Sequence, residues 1–170
     1  MPAVELQQRL MADLHQFAVP RHARWDPLGL MGVRESLRER LSALGELEEH
    51  HFDRAGEAGV NLILKLPGQR AHASPLLVGA HYDGPLHSPG ADDSATGVAA
   101  LLELANRLAA NPAPRPIWLV AFDQERKLLG ELLDLISTNK LSLARKVMGT
   151  QSFMRARGRK LRNQEGRDDL

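Results

Sequence analysis

A histidine and several carboxylates recur at three places where apolar runs of this chain give way to polar ones. They are His81-Tyr-Asp-Gly84, Gly90-Ala-Asp-Asp-Ser-Ala-Thr-Gly97 and Phe122-Asp-Gln-Glu125. Imidazole nitrogen and carboxylate oxygen both bind zinc readily, and a chain without cysteine has no thiolate to offer in their place. The same donors take other divalent cations with little discrimination. Asp83, two residues after His81, is spaced to accept the second ring N–H of a metal-bound imidazole and so fix its tautomer. Gly84, Gly90 and Gly97 give the close backbone approach that a tight metal loop needs.

For these groups to meet, regular elements must bring them to one edge. Pro75-Leu-Leu-Val-Gly-Ala-His81 and Pro116-Ile-Trp-Leu-Val-Ala-Phe122 are continuous apolar runs, the pattern of strands buried on both faces in a parallel sheet. Between them, residues 94–110 place Val98, Leu101, Leu102, Ala105 and Leu108 on one helical stripe, which Asn111-Pro-Ala-Pro-Arg-Pro ends. This predicts a right-handed strand–helix–strand crossover. His81, Asp92 and Asp93, and Glu125 then lie at the carboxyl ends of its strands, where open α/β sheets bind ligands.

Upstream, residues 4–17 carry a helical stripe, and Val19–Pro27 with its two prolines interrupts it. A second helix is predicted over 33–44, stopped by Gly45 as its C′ residue. Residues 46–52 are polar enough for an edge strand, and 61–66 are a strand. A sheet that ends after one crossover leaves residues 117–122 as an unpaired apolar edge. Beyond Gly130, Leu132, Leu133 and Ile136 continue a helical stripe begun by Leu128 and Leu129, but no strand follows Lys140. The fold class read from this pattern is α/β, a three-layer α/β/α sandwich around a mixed, mostly parallel sheet, truncated at the C-terminus. Residues 1–137 form the domain and 138–170 a basic, disordered tail.

Composition narrows the function class. The 170 residues are 43% apolar, enough for one core, and carry a net charge of +1. That balance argues against a nucleic-acid or membrane-surface protein. The charge is uneven: residues 145–170 hold eight Lys/Arg against three Asp/Glu. The run Arg155–Arg162 lacks the interleaved aromatics of a single-strand binder and reads as solvated. No apolar signal core opens the chain, which suggests a soluble, cytoplasmic protein.

The three segments, with Leu101-Leu-Glu-Leu-Ala105 after the second and Asn61-Leu-Ile-Leu-Lys-Leu-Pro-Gly68 before the first, resemble the N-terminal blocks of the two-zinc aminopeptidases. This is metallopeptidase family 28, of the bacterial leucine aminopeptidase and aminopeptidase Y type, with glutaminyl cyclases as relatives. The resemblance implies a zinc exopeptidase acting on peptides with a free N-terminus, with one or two zinc ions. By position His81 would bind one zinc, Asp93 would bridge both, and the Asp93–Ser94 bond would be cis. Glu125 would be the general base, taking a proton from the attacking water and returning it to the leaving amine, with Asp83 as the supporting carboxylate.

Three departures stand against full activity. The family follows its catalytic glutamate with a zinc-binding glutamate, where this chain has Arg126. The run Arg126-Lys-Leu-Leu-Gly-Glu131 is one residue short of the family's pattern. The later aspartate and histidine ligands have no counterpart: Asp134 is too near Glu125, and no histidine follows His87. The alternatives are therefore a truncated, non-catalytic peptidase homologue or interaction domain, and a glutaminyl-peptide cyclotransferase. Plainer roles are expected elsewhere. Asp92-Asp93-Ser94 should cap the following helix as well as bind metal, His50, His51 and His87 should be solvated, and Glu103 and Trp118 should serve packing.

Overall fold

The computed structural model describes residues 3–54, 56–70 and 72–124. Two helices, α1 (Ala3–Phe17) and α2 (Pro27–Ser42), precede strands β1 (Glu46–Arg54), β2 (Glu57–Leu66) and β3 (Leu76–His81). Helix α3 (Thr96–Ala110) then leads to β4 (Ile117–Phe122). Sheet order is β1-β2-β4-β3. Strands β1 and β2 are a hairpin running from Glu46 opposite Lys65 to Arg54 opposite Glu57. Gly56 takes φ 80° in its turn, a conformation glycine adopts without a Cβ clash. Strand β4 pairs antiparallel with β2 and parallel with β3.

This order overturns the expectation of an open edge at 117–122. Strand β4 is interior, and among the described residues the edges are β1 and β3. The reason is topological. The crossover through α3 sets β4 beside β3, and β2 pairs along the other side of β4, which alternation along the sequence does not reveal. The polar run at β1 is an edge as expected, with exposed Glu46, Glu48 and Glu49.

The helices bury one stripe each. Leu30, Val33, Leu37 and Leu41 share a face of α2, and Val98, Leu101, Leu102 and Ala105 a face of α3. They close with Phe17 over Leu62, Leu64, Leu66, Ile117, Leu119 and Ala121. The other face of the sheet carries a separate cluster of Leu77, Val120 and Phe122. The described residues thus supply the sheet and one helical layer of an α/β fold, and the proposed tail, the stripe at 128–136 and Arg126 lie outside them. Leu119 is fully buried in the central strand, so Leu119→Ala is expected to lower stability by about 2–5 kcal/mol in urea unfolding.

Three local expectations need correction. Helix α2 starts at Pro27, not at 33: proline at the first helical position forfeits no bond there, and its fixed φ suits the turn. The helix ends at Ser42, with Ala43 right-handed as its cap, so Gly45 is not the C′ residue. A Cβ on Gly45 would instead press on Leu66 and Leu64 at 3.2 and 3.3 Å. Glu103 is not mere packing. It accepts from Arg9 Nη2 at 2.9 Å and Arg107 Nε at 2.6 Å, and the Arg107 bond leads in holding its carboxyl below the usual range. Trp118 lies under the Lys65 ammonium, 5.5 Å from ring centroid to Nζ.

Candidate functional site

His81 ends β3 and Asp93 lies on the turn Ala91–Ala95 that opens α3. The turn begins at Gly90 and closes with the Ala95 N–H on the Gly90 carbonyl at 3.0 Å. The Asp93–Ser94 peptide is cis, at the bond the resemblance indicates. Asp93 and Ser94 leave helical geometry there, with φ −120° and −137°. Ser94 Oγ then donates to the His81 carbonyl at 3.1 Å, tying the turn to the strand end. The capping expected of Asp92-Asp93-Ser94 is not seen, since no side chain of the three caps the turn or α3. The Ser94 hydroxyl and the Asp93 carboxylate are turned to the strand end instead.

His81 Nε2 stands 3.1 Å from Asp93 Oδ1, and His81 Nδ1 stands 3.2 Å from both Asp83 Oδ1 and the Asp83 carbonyl. The ring is therefore held from behind and aims its outer nitrogen at a carboxylate that is 60% exposed. Two ligands about 2.0–2.1 Å from one zinc at near-tetrahedral angles stand about 3–3.5 Å apart. The pair fits that geometry, with Asp83 as orienting partner. Among the described residues no group of three or more His, Asp or Glu is placed to hold an ion. The site fits zinc as two of its ligands. Glu125 lies outside the described residues.

The groups face a cleft of about 300 Å³ lined by His81, Asp83 and Asp93, with Glu57, Leu86 and Gln124 among its walls. Gln124, at φ 54°, anchors its amide N–H on the Ala58 carbonyl at 3.0 Å. Beneath it a polar network holds the end of β4. Asp123 is fully buried, and its Oδ2 accepts from Arg34 Nη2 at 2.9 Å and the Val60 N–H at 3.2 Å. The Tyr82 hydroxyl lies 2.7 Å from the Val60 carbonyl and 3.1 Å from Asp123 Oδ2, while Arg34 Nε donates to it at 2.8 Å. Asn61 Oδ1 receives the Asp123 N–H at 3.0 Å. Burial, then the nearby Asp123 charge, pushes the Tyr82 phenol far up, so it works as a neutral hydroxyl. Burial also raises Asp123 above the usual carboxylate range, against the pull of the Val60 N–H and Arg34.

The sequence did not single out Arg21, Arg34, Asp123 or Gln124. Arg34 lies on the flank of a helical stripe and Arg21 between prolines and polar residues, where nothing local distinguishes a buried arginine from a solvated one. Of the other histidines, His51 is exposed beside Glu49, and His50 stacks on Phe52 with Nδ1 3.2 Å from Asn61.

Comparison with known proteins places this geometry. Residues 61–158 match the model of peptidase family M28. Aminopeptidase YwaD of Bacillus subtilis (strain 168) is 38% identical over 103 residues, which are 59% of this chain and 23% of that protein. Among solved structures, the LapA aminopeptidase of Legionella pneumophila superposes with TM-score 0.63 at 15% identity, over 83% of this chain and 42% of its own. A glutaminyl cyclase of Porphyromonas gingivalis reaches TM-score 0.55 at 22% identity, over 72% and 45%. The two structures share the fold, and this chain spans less than half the length of each of the three proteins.

Proposed function

The chain belongs to peptidase family M28, and on that premise we propose that it is a zinc-dependent aminopeptidase, removing N-terminal residues from peptides, whose site is impaired relative to the family. The observation that carries this reading is the 3.1 Å convergence of His81 Nε2 and Asp93 Oδ1, with Asp83 on the far side of the imidazole. His81 and Asp93 would hold zinc. Bound there, zinc polarises carbonyls and acidifies water. Asp83 keeps the His81 proton on Nδ1, leaving Nε2 as a lone-pair donor. Glu125, three residues beyond β4, would accept a proton from the attacking water and pass it to the departing amine. The cleft is lined by the carboxylates Glu57, Asp83 and Asp93 and by Leu86, a lining suited to a peptide whose N-terminus is cationic.

Impairment rests on Arg126, a cation where the family places a zinc ligand, and on the two-ligand set of the described residues. Carried further, the same observations favour a non-catalytic homologue. A glutaminyl-peptide cyclotransferase shares the fold of one neighbour but needs the same zinc ligands. Among the described residues no helix is long and apolar enough to cross a membrane.

Zinc titration by calorimetry tests the reading. The protein is expected to bind zinc with about micromolar affinity, near −8 kcal/mol, and His81→Ala to abolish the heat. Release of N-terminal residues from aminoacyl substrates should be lost in the same variant. Absence of binding by the folded wild-type chain leaves only the non-catalytic reading.

A further inference from the structure

Arg21, in the segment between α1 and α2, is completely buried. A guanidinium out of water is costly unless its N–H groups meet acceptors. Its Nε donates to the Tyr82 carbonyl at 2.8 Å, Nη2 to the Gly90 carbonyl at 3.0 Å, and Nη1 to the carbonyls of Val19, at 3.0 Å, and Pro89. The Arg21 carbonyl in turn receives the Gly84 N–H at 3.1 Å. The acceptors are not scattered. Tyr82 sits between His81 and Asp83, and Pro89-Gly90 leads into the turn that carries Asp93.

The two loops also close on this side chain sterically. A Cβ on Gly84 would lie 2.8 Å from Arg21 Cγ. One on Gly90, at φ 59°, would lie 3.2 Å from Nη2 and 2.6 Å from the Asp93 carbonyl. Both glycines are thus needed where the loops meet the arginine. Burial lowers the Arg21 pKa, and the charges of Asp83 and Asp93 oppose that shift, so the charged form is supported by the carboxylates of the site itself.

We propose that Arg21 is the positioning residue of this site, a buried brace that fixes the His81–Asp83 loop and the Asp93 turn relative to one another. The ligand pair is thereby set before any ion binds, a consequence that rests on the zinc reading above. The role depends on the planar fork. A lysine offers donors from a single point and cannot span carbonyls on separate loops.

The test compares Arg21→Lys with Arg40→Lys, whose parent side chain pairs with Asp13 at 2.7 Å between α1 and α2 and touches neither loop. Amide hydrogen exchange of the metal-free proteins and zinc affinity by competition with a chromophoric chelator are both measured where each variant is fully folded. In Arg21→Lys, exchange over residues 82–95 should rise about tenfold or more, and zinc affinity should fall about 10- to 100-fold, as for other groups that orient metal ligands. Arg40→Lys should change neither. Lower thermal stability in Arg21→Lys with unchanged local exchange and affinity overturns the proposal and makes Arg21 a stabiliser only. Should Arg21→Lys fail to fold, Gly84→Ala decides by the same readouts, because it displaces the side chain and keeps its charge. Should the wild-type chain bind no zinc, the zinc reading fails while hydrogen exchange still decides the brace.

Discussion

Replacing Arg34 with methionine is expected to cost about 3 kcal/mol at neutral pH, because it strips a buried carboxylate of its cation. Asp123 has no exposure, and among the described residues its Oδ1 has no hydrogen-bond partner, so there the anion depends on the bonds to Oδ2. The Val60 N–H and Tyr82 would remain, but neither neutralises the charge. The pH dependence identifies the cause. Burial already raises the folded-state pKa of Asp123 above its unfolded value of about 3.9. A group raised in this way contributes stability that is full below the unfolded pKa and is lost as pH rises through the folded one. Without Arg34 the folded pKa climbs further and the loss deepens. The deficit of Arg34→Met should therefore be smallest near pH 4 and widest at about pH 7, read from urea midpoints. Asp123→Asn in the same background should flatten the profile. A deficit independent of pH would mean that packing of the Arg34 stem, not charge, is what was lost.

The second large effect is a gain. Arg126→Glu is expected to tighten zinc binding about 100-fold in the chelator competition. Exchanging a cation for an anion near a divalent ion alters four unit-charge products, each worth about 1 kcal/mol at 4 Å in a water-like dielectric. Salt screening lowers the sum to about 3 kcal/mol. Arg126→Ala makes half the charge change and supplies no ligand, so it should gain about tenfold. Equal gains in the two variants would assign the effect to removal of the cation alone. No gain in either would separate Arg126 from the site and weaken the placement that the Glu125-Arg126 motif suggests.

The parts of the fold legible in the sequence are those where chemistry punctuates regular patterning. His81 ends an apolar run and Asp93 precedes a helical stripe, so their elements and their meeting place could be read together. Distances confirm the meeting, at 3.1 Å. Less legible were features set by partners distant in the chain. Pro27 reads as a breaker by composition, yet it begins α2. The interior position of β4 depends on β2, about 50 residues upstream, which periodicity within either strand cannot convey. Arg21 is the extreme case. Its surroundings come from Val19, Tyr82, Gly84 and Pro89-Gly90, and only the assembled loops show it to be interior.

The central place of β4 also sets an order of events in synthesis. The β1–β2 hairpin can close as soon as it leaves the ribosome, because its partners adjoin in sequence. Strand β3 has no such neighbour. Among the described residues it pairs only with β4, Leu76 beside Ile117, so that pairing must wait for the crossover helix and the strand beyond it. At about 5–20 residues per second that wait lasts several seconds. During it, Leu77 and the strand end bearing His81 have none of the described strands beside them. Arrival of β4 fills the gap between β2 and β3, and the edge that carries His81 joins the described sheet only then.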